Sequence, residues 1–336
     1  MNLKNKTATL IASTAVATIS LTSLNGQTIE QQQTRSRVEG TERAIVPENL
    51  GKPGDQNNGD TGGAAASDAG AQRPIRLKKK GISPFFGYSS KYFYRSNPLM
   101  ANGKLSQQAT AMWMNNFYVG SGLGVIQTDS TVITPYAGVS WTINDYMEGG
   151  LDQFNYDSTG AYAMLLAQYG NGWSARIGVN LAADSSTELD TEDYSEIYPN
   201  IGVMKAYSLS DSLLGIFDAS FGKHDSKSYN FIDQKDDGSM DNWEVAASYG
   251  MNWNKLSKLS VLPKYRLSYR SYDESLNDGR KDLTHDLSLR FSYKLANAVT
   301  LDLSTRYTNR SSSGVETDYG YKNSDGGGGL SISARF

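Results

Sequence analysis

The stretch WEVAASYGMNW, residues 243–253, alternates between two kinds of side chain along its whole length. One face carries the large or apolar side chains Trp243, Val245, Ala247, Tyr249, Met251 and Trp253. The other face carries Glu244, Ala246, Ser248, Gly250 and Asn252. Because successive side chains of a β-strand point to opposite faces, this period of two predicts a strand with one apolar face and one wet face.

The same period recurs from residue 83 to the end of the chain, most clearly in residues 259–271, 286–294 and 299–307. The predicted strands are about 11 to 13 residues long, roughly twice the length of an ordinary globular strand. Tilted strands of roughly 9 to 11 residues cross a bilayer. Length and alternation together favour membrane-spanning strands over the strands of a soluble sandwich.

The connections between the predicted strands alternate in length. Short ones lie at residues 170–172, 208–212, 254–258 and 295–298, and long polar ones at 184–195, 225–242, 273–281 and 312–325. Short turns on one side and long loops on the other are typical of an outer-membrane β-barrel. Trp173 and Trp253 lie beside short turns, and Trp141 and Trp243 lie beside long loops, where interfacial aromatic girdles are expected.

We therefore predict an all-β fold, an antiparallel up-and-down transmembrane barrel of about twelve strands. The strands are expected at residues 84–95, 107–118, 131–142, 158–169, 172–183, 196–207, 212–224, 242–254, 259–272, 281–294, 298–311 and 326–336. Residues 121–130 fit either a long turn or part of a strand pair. An even number of strands places both chain ends on one side, which the short turns predict to be periplasmic.

The first 82 residues lack this period. Lys4 and Lys6 precede a short apolar stretch, which is typical of a secretory signal peptide in residues 1–26. Residues 27–82 bury too little apolar surface to offset chain entropy and are predicted to be a disordered periplasmic arm. Its basic run at residues 76–80 is either a solvated terminus or a contact for an anionic surface. Residues 83–336 are the predicted barrel domain.

The composition excludes several functions. The chain has no cysteine, which removes disulfides, thiolate metal sites and cysteine nucleophiles. Its formal net charge of −3 gives no basic excess, which argues against nucleic-acid binding. No segment reaches the roughly 18 consecutive apolar residues of a membrane-spanning helix. We expect no cofactor.

The chain ends in LSISARF, residues 330–336, in which apolar residues alternate up to Phe336. Together with the signal peptide and the long alternation, this end resembles the C-terminal signature of bacterial outer-membrane β-barrel proteins. The resemblance implies a location in the outer membrane, contact with its lipids and lipopolysaccharide, and recognition of the last strand by the barrel assembly machinery. It implies no particular solute.

The wet face of the last four strands is basic. Its cations are Lys264, Arg266, Arg270, Arg290, Lys294, Arg306 and Arg335. Charges in a narrow lumen are poorly screened and select the sign of permeant ions, so this wall predicts a narrow channel that favours anions. The arrangement is similar to that of the oligogalacturonate- and sialic-acid-specific porins, which implies acidic oligosaccharides as solutes.

The alternative is a structural, adhesive or partner-binding barrel with a plugged lumen, in which inward carboxylates neutralise these cations. Those carboxylates are Asp218, Glu244, Asp286 and Asp302. In this alternative the protein acts through its loops, or through a periplasmic partner bound by residues 27–80.

A weaker candidate is a calcium loop at residues 233–244. Its residues match five positions of an EF-hand loop, namely Asp233, Asp237, Gly238, Asp241 and Glu244. Lys235 occupies a position where a ligand oxygen belongs, and no flanking helices are predicted. An acidic surface loop is the simpler interpretation, and we expect no metal site.

An enzyme is the remote alternative. His224 and Ser226 have the spacing used by the outer-membrane phospholipase A and the lipid A deacylase, in which an imidazole takes the hydroxyl proton. Both residues have inward positions, whereas acyl chains lie outside the barrel. His285 has an outward position near a strand end, which predicts an interfacial residue. The acidic interval 184–196 predicts a solvated loop, a site where divalent cations bridge lipopolysaccharide phosphates, or a binding site for an external partner.

Overall fold

The computed structural model describes residues 81–335, apart from residues 99, 101, 103–108, 129–130, 149–150, 152–153, 170–171, 189–190, 211, 229–239, 257, 275–276 and 317. The predicted signal peptide, nearly all of the predicted arm and Phe336 lie outside the described residues. No helix in the described part of the chain is long and apolar enough to cross a membrane.

The described residues form thirteen β-strands in one sheet. They are β1 (Ser83–Arg95), β2 (Thr110–Gly122), β3 (Ile126–Gln127), β4 (Thr131–Tyr146), β5 (Tyr156–Tyr169), β6 (Trp173–Ser186), β7 (Thr191–Ser210), β8 (Leu213–Ser228), β9 (Asn242–Leu256), β10 (Leu259–Tyr272), β11 (Lys281–Ala296), β12 (Val299–Ser313) and β13 (Tyr321–Arg335).

The sheet closes on itself. β1 pairs antiparallel with β2 on one side and with β13 on the other, so the first and last strands are neighbours. β2 also pairs with β4, and from β4 to β13 each strand pairs with the next along the chain. The two-residue β3 pairs with the start of β4. The twelve long strands thus form a closed antiparallel up-and-down barrel, which confirms the predicted fold.

The strands extend further toward the long loops than the sequence predicts. β6 continues to Ser186 and β7 begins at Thr191, so the loop predicted at residues 184–195 is mostly a β-hairpin. β8 continues to Ser228, and β13 begins at Tyr321. The predicted boundaries are wrong here because the hydrophobic period ends before the backbone pairing does. We call the two rims of the barrel the long-loop end and the short-turn end.

The outward face of the barrel is apolar. Large side chains at alternate positions are exposed around the whole circumference, among them Phe117, Ile177, Ile201, Val245, Leu287 and Leu303. All five tryptophans lie on this face, namely Trp113, Trp141, Trp173, Trp243 and Trp253. An exposed apolar surface this continuous needs a cover, and on a closed barrel that cover is lipid.

Bulky side chains fill the interior beside β1, β2, β4 and β5. The buried cluster there consists of Phe85, Tyr136, Tyr162, Met164 and Leu166. Glycines on the neighbouring strands make room for the rings, since a Cβ at Gly138 would lie 2.6 Å from the Tyr162 ring and one at Gly120 2.5 Å from the Phe85 ring. The opposite wall of the interior, from β8 to β13, carries most of the charged side chains described below.

Candidate functional site

The inner wall is basic toward the short-turn end. We call the inward charged residues within eight positions of that end of their strand the basic half of the lumen. Its cations are Lys91, Arg176, Lys264, Arg266, Arg290, Lys294 and Arg306. Its carboxylates, in the described strands, are Asp218 and Asp302. Arg335 has its backbone opposite Phe85, at an inward position of β13.

The inner wall is acidic toward the long-loop end. The inward carboxylates beyond the basic half are Asp184, Glu196, Glu244, Asp282, Asp286 and Asp325. The inward arginines there are Arg95, Arg270 and Arg310. Charge is therefore separated along the barrel, with the positive excess at the short-turn end.

Solvent reaches the basic half. The Arg266 side chain is 44 % exposed and that of Arg306 25 %. Lys294 is exposed and Lys264 is half-buried, and no carboxylate of the described residues forms an ion pair with either ammonium group. Asp302 accepts hydrogen bonds from Ser292 Oγ at 2.5 Å and from Ser331 Oγ at 2.8 Å. Neither lysine charge is therefore neutralised by direct contact with a carboxylate.

Carboxylates hold three of the predicted wall arginines. Glu244 accepts a hydrogen bond from Arg270 Nε at 2.6 Å and a second one from Arg266 Nη2. Arg306 Nε donates to Asp286 Oδ2 at 2.5 Å. The structure thus puts these residues at inward strand positions, and it joins Arg266 and Arg306 of the basic half to carboxylates nearer the long-loop end. That they line a conducting pore stays a prediction.

A second ionic cluster lies at the long-loop end. Arg280 donates from Nε to Asp282 Oδ1 at 2.9 Å, and its guanidinium carbon lies 4.2 Å from the ring centroids of both Tyr272 and Tyr319. Arg310 Nη1 lies 3.6 Å from Asp282 Oδ2. The side chains of Arg280 and Asp282 are 0 and 1 % exposed. The side chains of this cluster are therefore shielded from solvent, whereas solvent reaches the charged side chains at the short-turn end.

Sequence reasoning missed this cluster. Arg280 belongs to a stretch that the composition predicts as a polar loop, and its burial depends on Tyr319, which is distant in sequence. A signal was available for the other two members, because Asp282 and Arg310 have the inward parity of their strands.

His224 and Ser226 lie inside the barrel, as their parity predicts, and have separate partners. The His224 ring stacks on Tyr198 with centroids 3.9 Å apart, and its Nδ1 lies 3.0 Å from Glu196 Oε2. Ser226 Oγ accepts a hydrogen bond from the Met240 backbone amide at 3.2 Å. Ser226 Oγ does not donate a hydrogen bond to the His224 ring, as a serine nucleophile must do to its base.

The predicted calcium loop lies partly outside the described residues, which exclude Asp233, Asp237 and Gly238. Of its two remaining carboxylates, Asp241 accepts a hydrogen bond from the Ser226 backbone amide at 2.7 Å. Glu244 accepts hydrogen bonds from Arg266 and Arg270. Both carboxylates are thus occupied by protein donors. The described residues contain no group of three or more side chains suited to a metal ion.

The acidic interval 184–196 is wrongly predicted as a solvated loop. Asp184, Asp193 and Glu196 are buried, and Glu196 accepts a hydrogen bond from Tyr194 Oη at 2.6 Å, whereas Glu192 is exposed. His285 has an outward position, where Tyr265 Oη lies 2.7 Å from its Nδ1.

Removing the Glu244 charge is expected to destabilise the barrel. Glu244→Gln leaves two arginines without their buried carboxylate, and breaking a buried pair costs about 3 to 5 kcal/mol. The measurement is the urea midpoint of the barrel in detergent, followed by tryptophan fluorescence. The matched control is Asp218→Asn, whose carboxylate is 30 % exposed and pairs with Arg176, and which should shift the midpoint much less. Equal shifts for the two variants would contradict the assignment of Glu244 as the buried centre of the network.

A closed antiparallel barrel with an apolar outer belt and a charged interior defines the class: this is a transmembrane β-barrel of the outer-membrane type. No family model matches the chain, and no curated protein does.

The solved structures similar to it include two outer-membrane channels and an autotransporter domain. An outer membrane channel from Pseudomonas putida F1 has 10 % identity and a TM-score of 0.47, with 78 % of this chain and 100 % of that one covered. The β domain of the Bordetella autotransporter BrkA has 11 % identity and a TM-score of 0.41, with 75 and 99 % covered. The outer membrane channel DcaP of Acinetobacter baumannii has 12 % identity and a TM-score of 0.37, with 76 and 98 % covered.

Proposed function

We propose that this barrel is a narrow outer-membrane channel for small anionic solutes, with both termini on the periplasmic side. The observation that carries the proposal is the uncompensated positive charge of Lys264 and Lys294 in a solvent-reached lumen. Fixed charges in a confined, low-dielectric passage concentrate ions of the opposite sign. Barrels of eight strands are filled by side chains and those of 16 to 18 are open, so twelve strands suit a narrow passage.

The inner wall also suits a hydroxylated solute. Serines alternate with the cations on the inner face of β10 to β12, at Ser260, Ser268, Ser288, Ser292 and Ser304. Hydroxyl groups donate and accept hydrogen bonds, and guanidinium groups bind carboxylates in a bidentate manner. An acidic oligosaccharide presents both kinds of partner, and we propose this class as the preferred solute.

A plugged structural barrel is the second candidate. The observation that favours it is the dry packing of Arg280, Asp282 and Arg310 at the long-loop end, next to the buried Glu244 network. In this candidate the protein acts through its loops or through a periplasmic partner of residues 27–80. A lipid hydrolase has no such support, because His224 and Ser226 face away from the acyl chains.

Single-channel recording of the full chain in planar bilayers separates the two candidates. The channel predicts a lasting open level whose reversal potential in a KCl gradient shows anion preference. Competing oligogalacturonate is expected to interrupt that current more than neutral maltodextrin of equal length. A silent membrane, with the barrel shown to be inserted, would overturn the channel and favour the plug.

Three further partners follow from the proposed location. Lipids and lipopolysaccharide cover the apolar outer belt, and the barrel assembly machinery recognises the last strand, which ends in Phe336. A periplasmic partner of residues 27–80 is the third. Recognition by the assembly machinery can be tested with Phe336→Ala, which should slow insertion of the barrel into the outer membrane in cells.

A further inference from the structure

We propose that protonation of His224 tunes the channel, so that its preference for anions rises in mildly acidic solution. The inference rests on the proposed channel function and deepens it, because it assigns one residue that regulates the ion preference of the lumen. It is carried by the position of a buried imidazole between two buried carboxylates.

Each ring nitrogen of His224 faces a different carboxylate. Nδ1 lies 3.0 Å from Glu196 Oε2 on β7, and Nε2 lies 3.8 Å from Glu244 Oε2 on β9. The side chain of His224 is 5 % exposed, and those of Glu196 and Glu244 are 1 and 3 % exposed. Register sets this arrangement, because Glu196 pairs with Ser226, two positions after the histidine, and Glu244 pairs with Gly222, two positions before it.

The neutral ring satisfies one of these two contacts. Ionised carboxylates only accept hydrogen bonds, so Nδ1 carries the hydrogen that points to Glu196. In the neutral ring Nε2 then bears a lone pair, which faces another acceptor, Glu244 Oε2. Nε2 is buried and has no hydrogen-bond partner within the described part of the chain. A proton on Nε2 makes this nitrogen a donor and lets the ring donate to both carboxylates.

The imidazole is the group of this neighbourhood whose charge is expected to change near neutral pH. Histidine ordinarily titrates between about pH 5 and 8, where tyrosine and arginine keep their protons and carboxylates lack them. A proton gained in this range therefore adds one positive charge to the network. The ionisable groups in contact with His224, with its two carboxylates or with the adjoining Ser226 include Tyr194, Glu196, Tyr198, Asp241, Glu244, Arg266 and Arg270.

Arg266 connects this network to the lumen. Its guanidinium donates to Glu244 Oε1, and its side chain is 44 % exposed. Arg270 Nε donates at 2.6 Å to Glu244 Oε2, which is the oxygen that faces His224 Nε2. An imidazolium at that oxygen competes with the arginines for Glu244, so less of the carboxylate charge offsets Arg266. The wall then presents more positive charge to the lumen, and positive charge in a confined passage favours anions.

Nuclear magnetic resonance tests the protonation without any need for conduction. The chain has two histidines, and the second, His285, lies outward with its Nδ1 2.7 Å from Tyr265 Oη. The full chain, made with isotope-labelled histidine and without a histidine tag, is titrated in detergent micelles between about pH 5 and 8. The signal that His224→Gln removes should move between two limiting positions over this range. A signal that stays constant would overturn the proposal.

The reversal potential of single channels under a KCl gradient supplies the functional readout. The ratio of anion to cation permeability should be about twofold or more higher at about pH 5.5 than at about pH 8. His224→Gln, whose amide still donates to Glu196, should lose this dependence, whereas the matched control His285→Gln should keep it.

The outcomes separate this inference from the proposed function. A barrel that conducts with a preference independent of pH, or with the same dependence in His224→Gln as in the wild type, would overturn the role of His224 and leave the channel standing. A silent membrane together with a titrating His224 signal would contradict the channel function itself.

Discussion

Gly327→Val is expected to prevent closure of the barrel, so that the heat-modifiable folded band falls several-fold in gels run without boiling. Gly327 lies on β13 opposite Phe93 of β1, at the seam between the first and last strands. A Cβ at this position would collide with the Tyr92 carbonyl oxygen and with Phe93 Cα and Cβ. Two of these are backbone atoms, which a rotamer change cannot move, and overpacking of this kind costs about 1 to 3 kcal/mol or more.

The adjacent residue supplies the control. Gly326 has nothing within 4 Å of an added Cβ and points outward, so Gly326→Val adds an apolar side chain to the lipid face at no steric cost. The two variants share composition, strand and chemistry and differ only in the face that the new side chain enters. Similar amounts of folded band for both variants would contradict the register of the seam.

Reversing two lumen charges is expected to reverse the ion preference of the channel. The double variant Lys264→Glu and Lys294→Glu replaces the two uncompensated cations of the basic half with carboxylates. Because charges in a confined passage are poorly screened, the ratio of anion to cation permeability should fall severalfold and pass below one. The measurement is the reversal potential of single channels under a KCl gradient.

A charge change on the outer face is the control for this experiment. Lys322 is exposed at an outward position of β13, where it pairs with Asn309. Two substitutions on that face, Lys322→Glu and Lys281→Glu, alter the net charge of the protein equally and leave the lumen unchanged. An unaltered reversal potential in the lumen variant, or an equal change in both, would show that Lys264 and Lys294 do not face the conducting path.

Most of the fold could be predicted from the alternation of side chains, because successive residues of a barrel strand face lipid and the interior in turn. The stretch 243–253 lies within β9, with Trp243 and Trp253 outward and Glu244 inward, as its period predicts. The same rule failed between β6 and β7, where polar residues on both faces hide a hairpin whose strands pair out to Ser186 and Thr191. A period of two requires an apolar and a polar face, and it disappears where both faces carry polar side chains.

Less of the candidate site than of the fold could be predicted from the sequence. Parity places Glu244, Arg266 and Arg270 on one face, but the contacts among them depend on the register of β9 against β10, where Arg266 pairs with Ser248 and Arg270 with Glu244. The separation of positive and negative charge along the barrel likewise appears only once the strand ends are known. Arg280 shows the limit most clearly, because the residues that bury it come from two different connections and a strand end.

The most direct test of the account is the exposure of the tryptophans to lipid. All five have outward positions on the apolar belt, so their fluorescence reports the one surface on which the whole interpretation depends. In liposomes of brominated phosphatidylcholine the account predicts strong quenching relative to unbrominated lipid, together with weak quenching by aqueous iodide. Unquenched fluorescence in brominated lipid combined with strong iodide quenching would contradict a lipid-covered barrel.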